Sequence, residues 1–97
     1  MLSNTRFIEN YVHFRRAKGF GPIRIQAELT ARGLSKEFIE GHLNMADNLW
    51  FEAARQLWQK RFKGIVPQDF KSKAQQIRFL RYRGFTDDHV EKILSSD

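Results

Sequence analysis

The turn Arg32-Gly33-Leu34-Ser35 recurs as Arg83-Gly84-Phe85-Thr86, 51 residues further on (33 to 84). The flanks keep that register: Leu29 matches Leu80, Ile39 matches Val90, and Leu43 matches Leu94. A self-match held at one offset is the mark of a duplicated structural unit, and a unit this small cannot bury its apolar face alone. The chain is thereby constrained to a tandem array. An array of stacked units offers an extended surface, which suits an elongated partner better than a small substrate.

Each copy reads as three helices. The first runs from about Asn4 to Lys18, with Ser3 as N-cap, Gly19 as stop and Phe7, Ile8, Tyr11 and Val12 as an apolar stripe at helical spacing. The second opens at Pro22, whose missing N–H would be unpaired there anyway. In it Ile25 and Leu29 lie one turn apart, as do Ile23 and Ala27, and Gly33 ends it in the left-handed conformation. Ser35 caps the third, which turns Phe38, Ile39 and Leu43 inward. The fourth runs from about Asp47 to Lys63 on a stripe of Leu49, Trp50, Ala53, Leu57 and Trp58, and Gly64 stops it. Pro67 is expected to open the fifth, lined by Phe70, Ala74, Ile77 and Leu80 and ended by Gly84. Thr86 caps the sixth, with Val90, Ile93 and Leu94 inward. Lys18-Gly19-Phe20 aligns with Lys63-Gly64-Ile65 at an offset of 45, so the second copy carries about six extra residues between its first two helices. No stretch shows strand-like alternation. The expected fold is all-α: helix-turn-helix-like three-helix repeats at 1–46 and 47–97, forming an elongated, curved array.

Composition narrows the function. The chain is 41% hydrophobic with nine Phe and two Trp, which argues for a folded domain. It has no Cys, so disulfides and thiolate metal sites are excluded. No run reaches the roughly eighteen apolar residues that a membrane span needs, and Met1-Leu2-Ser3-Asn4 lacks the regions of a signal peptide. A cytoplasmic monomer without a membrane partner is expected. The net charge of +6 calls for an anionic partner. Residues 10–27 carry Arg15, Arg16, Lys18 and Arg24 and no acid, and residues 54–83 carry nine basic residues against Asp69 alone. From Phe85 on the sign reverses, with Asp87, Asp88, Glu91 and Asp97 against Lys92.

Catalysis finds no support. His13, His42 and His89 fall on three different helices without ligand-spaced partners, so neither a catalytic group, a metal nor a cofactor is expected. Gly19-Phe20-Gly21-Pro22 before a helix has some of the glycine spacing of a phosphate loop. It lacks the preceding strand and the following Lys-Ser/Thr. Major-groove reading by a helix-turn-helix is disfavoured: Glu37 and Glu40 lie on the third helix, and Asp87, Asp88 and Glu91 on the sixth, where phosphates would repel them.

Partner contacts are expected instead on helices one, two, four and five. Arg15, Arg16 and Lys18 end the first helix and Lys60, Arg61 and Lys63 end the fourth, positions that the helix dipole also favours. Arg78 and Arg81 lack that local reason, and Arg24 opposes the dipole, which makes these three the better functional candidates. Arg24, Arg78 and Arg81 are expected to join Lys60, Arg61 and Lys63 in one basic face. Trp50 and Trp58, though able to stack on bases, fall on the apolar stripe and are read as core. Phe20 and Phe85 are read as closing the glycine turns.

Lys18-Gly19-Phe20-Gly21-Pro22-Ile23-Arg24-Ile25, followed by Glu28-Leu29, Gly33 and Ser35, resembles the RecX family of bacterial regulators of the RecA recombinase. Ser3-Asn4-Thr5-Arg6-Phe7 is similar to that family's entry into the same unit, and Ile77-Arg78-Phe79-Leu80 with Arg83-Gly84-Phe85 resembles its closing repeat. The matches cover nearly the whole chain. The resemblance implies an all-helical array that binds the RecA nucleoprotein filament and suppresses RecA's ATPase, coprotease and strand-exchange activities; the basic charge adds single- or double-stranded DNA as a candidate partner, and a plain nucleic-acid-binding module as the rival reading. The resemblance assigns no individual contact residues. It also implies a further helical repeat ahead of this region in typical members. Two repeats are therefore expected to hold the filament yet inhibit more weakly than three.

Overall fold

The computed structural model of the chain describes residues 4–95. Six helices follow one another: α1 (Asn4–Ala17), α2 (Pro22–Ala31), α3 (Lys36–His42), α4 (Asn48–Phe62), α5 (Phe70–Tyr82) and α6 (Asp87–Ser95). Among the described residues there is no strand. α1, α2 and α3 pack on one another, as do α4, α5 and α6, and α1 also meets α4. The body measures 52 × 18 × 17 Å. One apolar core runs through both trios, from Ile8, Ile25, Leu29 and Ile39 through Trp50 and Ala54 to Leu80, Phe85 and Ile93.

The duplicated register is visible atom by atom. At the end of α2, Leu34 N–H donates to Leu29 O and Gly33 N–H to Thr30 O; at the end of α5, Phe85 N–H donates to Leu80 O and Gly84 N–H to Arg81 O. Both are glycine-terminated Schellman closures, with φ of +96° at Gly33 and +99° at Gly84. The next residue but one is a hydroxyl cap in each copy. Ser35 Oγ accepts from Phe38 N–H at 3.2 Å, and Thr86 Oγ1 accepts from His89 N–H at 3.2 Å. Leu29 and Leu80 are both fully buried, and Trp50 and Trp58 lie in the core as expected.

Several expectations give way. Pro67 does not open α5. Asp69 does, its carboxylate accepting from Ser72 N–H, because an acceptor satisfies an orphan donor and proline cannot. α4 stops at Phe62, and Lys63 itself adopts the left-handed conformation (φ +56°) ahead of Gly64. Of the expected stripe Phe70, Ala74, Ile77 and Leu80, the last is fully buried and Ile77 packs partly buried against the core, but Phe70 is not on the core face of α5. Phe70 is 87% exposed, while Gln76 and Leu80 are buried. Gln76 can take an apolar position because both ends of its amide are satisfied: Trp58 Nε1–H donates to its Oε1 at 2.7 Å and its Nε2 donates to Ile65 O at 3.0 Å. Phe7, Ile23 and Leu49 are also exposed at the edges of their stripes. The proposed cap Ser3 lies outside the described residues. No helix among the described residues is long and apolar enough to cross a membrane.

Candidate basic interface

The glycine-rich segment between α1 and α2 has its role in packing. Gly21 N–H donates to Arg83 O at 2.7 Å, and Ile23 N–H donates to Gly84 O at 2.9 Å, so the start of α2 is bonded to the turn after α5. The approach is that of backbone on backbone. A Cβ on Gly21 would lie 2.4 Å from the Gly84 carbonyl carbon, and one on Gly84 would lie 2.4 Å from Arg24 Cβ. Pro22 fits between the two bonds because it needs no partner for an N–H it lacks.

Arginines and aromatic rings extend this junction outward. Phe20 is faced by the guanidinium groups of Arg15 (3.9 Å), Arg24 (4.7 Å) and Arg83 (5.1 Å). Arg83 also faces Phe79, which Arg61 approaches at 5.5 Å, and Arg24 lies 5.6 Å from the Tyr82 ring. Like charges gather here because each has a π-face to rest on, and because one carboxylate lies among them. Glu28 accepts two bonds from Arg15, at 2.7 and 3.1 Å, and one from the Tyr11 hydroxyl at 2.9 Å, with Arg24 at 3.6 Å. Burial alone would push the Glu28 carboxyl up. The bonds from Arg15 and Tyr11, with the charges of Arg15 and Arg24, hold it below the usual carboxylate range instead.

The nine cations anticipated from the sequence therefore have different surroundings. Arg15 and Arg24 belong to the junction. Arg16, Lys18 and Lys60 line a groove between α1 and α4, together with His13, Glu52 and Gln56. Behind its lining, Arg16 faces the buried Trp50 ring at 5.2 Å, and Lys18 faces Phe14 at 4.5 Å. Arg61 and Lys63 border a second groove against the loop at Ile65–Gln68. Arg78 and Arg81 line a third, on the outward face of α5. Arg81 stands in the last turn of α5 and binds Asp87 at 2.7 Å across the turn to α6, so it does have a local reason for its place. Sequence reasoning overlooked Arg83, the residue that touches both Phe20 and Phe79. Its repeat counterpart, Arg32, stacks on Tyr11 and Phe7 in the same way, and that duplication was the available signal.

His89 is inside the fold. Its Nδ1 accepts from Thr86 N–H at 3.3 Å, and its Nε2 faces Met45 O at 3.1 Å, tying α6 to the link before α4. Desolvation pushes its pKa down, and Lys92 adds to this, while the Met45 bond and Asp88 oppose it.

Comparison with known proteins matches this architecture repeat by repeat. Residues 3–43 match the family model described as RecX, second three-helix domain, and residues 47–94 match RecX, third three-helix domain. A protein named Regulatory protein RecX in Pseudomonas putida KT2440 is 43% identical over 95 residues, covering 98% of this chain and 61% of that relative. One of the same name in Pseudomonas savastanoi pv. phaseolicola is 41% identical over 95 residues, and one in Ectopseudomonas mendocina is 40% identical over 94. The chain thus spans about three fifths of the length of the curated relatives it matches. No solved structure matches it significantly. With both consecutive domain models and these relatives matching across its length, the chain belongs to the RecX family.

Proposed function

We propose that the chain is a non-enzymatic regulatory module that binds the RecA–DNA filament and restrains RecA's ATPase, coprotease and strand-exchange activities. The observation that carries this reading is a 52 Å helical body whose cations line three successive grooves, in a member of the RecX family. Such a body suits a filament. Lying along a filament groove, it would touch neighbouring protomers together and oppose the relative movements that ATP turnover and strand exchange require. The close Gly21–Gly84 approach supports this by making the two trios push as one unit. Arg16, Lys18, Lys60, Arg61, Lys63 and Arg78 are the proposed contact residues, with Arg15, Arg24 and Arg81 holding the scaffold that presents them.

A second reading, a plain nucleic-acid-binding module, draws on the α1–α4 groove, where the cations Arg16, Lys18 and Lys60 stand together able to follow a phosphate backbone. A pulldown on single-stranded DNA with and without RecA separates the two. Retention that requires RecA supports the first. Comparable retention on naked DNA, falling steeply with salt, supports the second and sinks the first.

A further inference from the structure

α5 does not spend all of its apolar surface on the core. Gln76 and Leu80 face inward. Beside them Ile77, partly buried against the core, continues with Ala74 and Phe70 at helical spacing along an open groove of about 650 Å³, with Tyr82 at its far end. Phe70 is 87% exposed and Tyr82 75%. The two rings stand twelve residues apart, roughly 18 Å along the helix at 1.5 Å per residue. The rim is cationic. Lys73, Arg78 and Arg81 border the same groove, and among the described residues Arg81 of these three has a carboxylate partner, Asp87. Single exposed hydrophobes are ordinary, but an apolar floor enclosed by two exposed aromatics and a charged rim marks a surface that excludes water when a partner arrives.

We infer that this α5 groove is a protein-docking site, and that its occupant is an amphipathic segment of the filament protein carrying aliphatic side chains beside carboxylates. This rests on the filament reading above and assigns the α5 groove to the protein component rather than to the DNA. Charge complementarity selects the carboxylates, which would meet Lys73 and Arg78 at the rim. The floor selects the aliphatic side chains. A nucleic acid strand crossing here would lay its sugar-phosphate backbone over Ala74 and Ile77, which offer no side-chain donor, and its bases would find stacking platforms only at the two ends. A peptide face with aliphatic residues one turn apart covers that floor and leaves its polar side in water.

The test compares the parent chain with Phe70→Ala/Tyr82→Ala and with Arg78→Glu, each titrated against RecA filaments on single-stranded DNA and, separately, against fluorescein-labelled oligo-dT. The three side chains are exposed, so melting temperatures should match the parent and confirm folding. The aromatic double variant is expected to lose about tenfold or more in filament affinity, while its oligo-dT affinity stays within about twofold of the parent. Arg78→Glu is expected to weaken filament binding as well. Filament binding by the double variant equal to the parent would overturn the groove assignment and leave the filament reading standing. An equal loss on oligo-dT would make the occupant nucleic acid and overturn it too. A parent chain that ignores the filament would overturn both readings.

Discussion

Gly21, Gly33 and Gly84 separate two causes of glycine dependence that the sequence presents as one. Gly33 and Gly84 are equivalent in the repeat, and both hold positive φ. Their surroundings differ: a Cβ at Gly33 meets nothing within 4 Å, whereas one at Gly84 meets Arg24 Cβ at 2.4 Å and Arg24 N at 2.7 Å. Gly21 completes the set, because its φ of −92° suits any residue while its Cβ would collide with the Gly84 backbone. Gly33→Ala therefore carries only the left-handed strain of about 1–2 kcal/mol. Gly21→Ala carries no such strain. It forces the start of α2 away from the α5 turn and breaks the bonds from Gly21 to Arg83 and from Ile23 to Gly84. A buried backbone group left unpaired costs about 1–3 kcal/mol, so Gly21→Ala, which breaks two such bonds, should cost about 2–6 kcal/mol. Gly84→Ala combines both causes. At about 0.05–0.15 kcal/mol per residue, a 97-residue chain holds about 5–15 kcal/mol, so Gly84→Ala, at about 3–8 kcal/mol, should be the most destabilised of the three and lose a large share of that stability. Urea titration followed by far-UV circular dichroism and tryptophan fluorescence reads all three. If Gly21→Ala costs less than Gly33→Ala, the backbone interlock is not what joins the trios.

Gln76→Ala should cost about 2–4 kcal/mol by orphaning the Trp58 indole N–H and the Ile65 carbonyl; a chemical-denaturation midpoint unchanged from the parent would refute that. His89 makes stability pH-dependent. Its folded pKa lies below its ordinary value of 6.5, so the unfolded chain binds the proton more readily. The contribution is present above that value and is lost as pH falls through it towards the folded pKa. Melting temperature should drop across that acid range, and His89→Gln should flatten the slope; an equally steep slope in the variant would assign it to other groups. Glu28→Gln should cost about 1–3 kcal/mol, because the Arg15 guanidinium, mostly buried, loses its charged acceptor; full stability in the variant would show that Phe20 alone suffices to hold Arg15.

The helices were legible because the signals that end and start them are local. Gly33 and Gly84, Ser35 and Thr86 each act within a few residues of their own position, and the repeat states them twice. α5 was misread at Phe70 because periodicity lines it up with Ile77 and Leu80 but cannot say how far along the helix its neighbours cover that stripe. Gln76 carries no signal of burial, since its two partners come from α4 and the loop behind it. The clustering of cations along α1, α4 and α5 was visible, but their partners were not. Arg15 finds Glu28 on another helix, and Arg81 finds Asp87 across a turn. The purpose of Gly21 was least accessible, because the backbone it must approach belongs to Gly84, in the other repeat.

ATP hydrolysis by RecA on single-stranded DNA, measured with increasing amounts of this chain, tests the central claim most directly. The rate should fall in proportion to filament occupancy. Hydrolysis that stays constant while the chain saturates the filament would contradict the account.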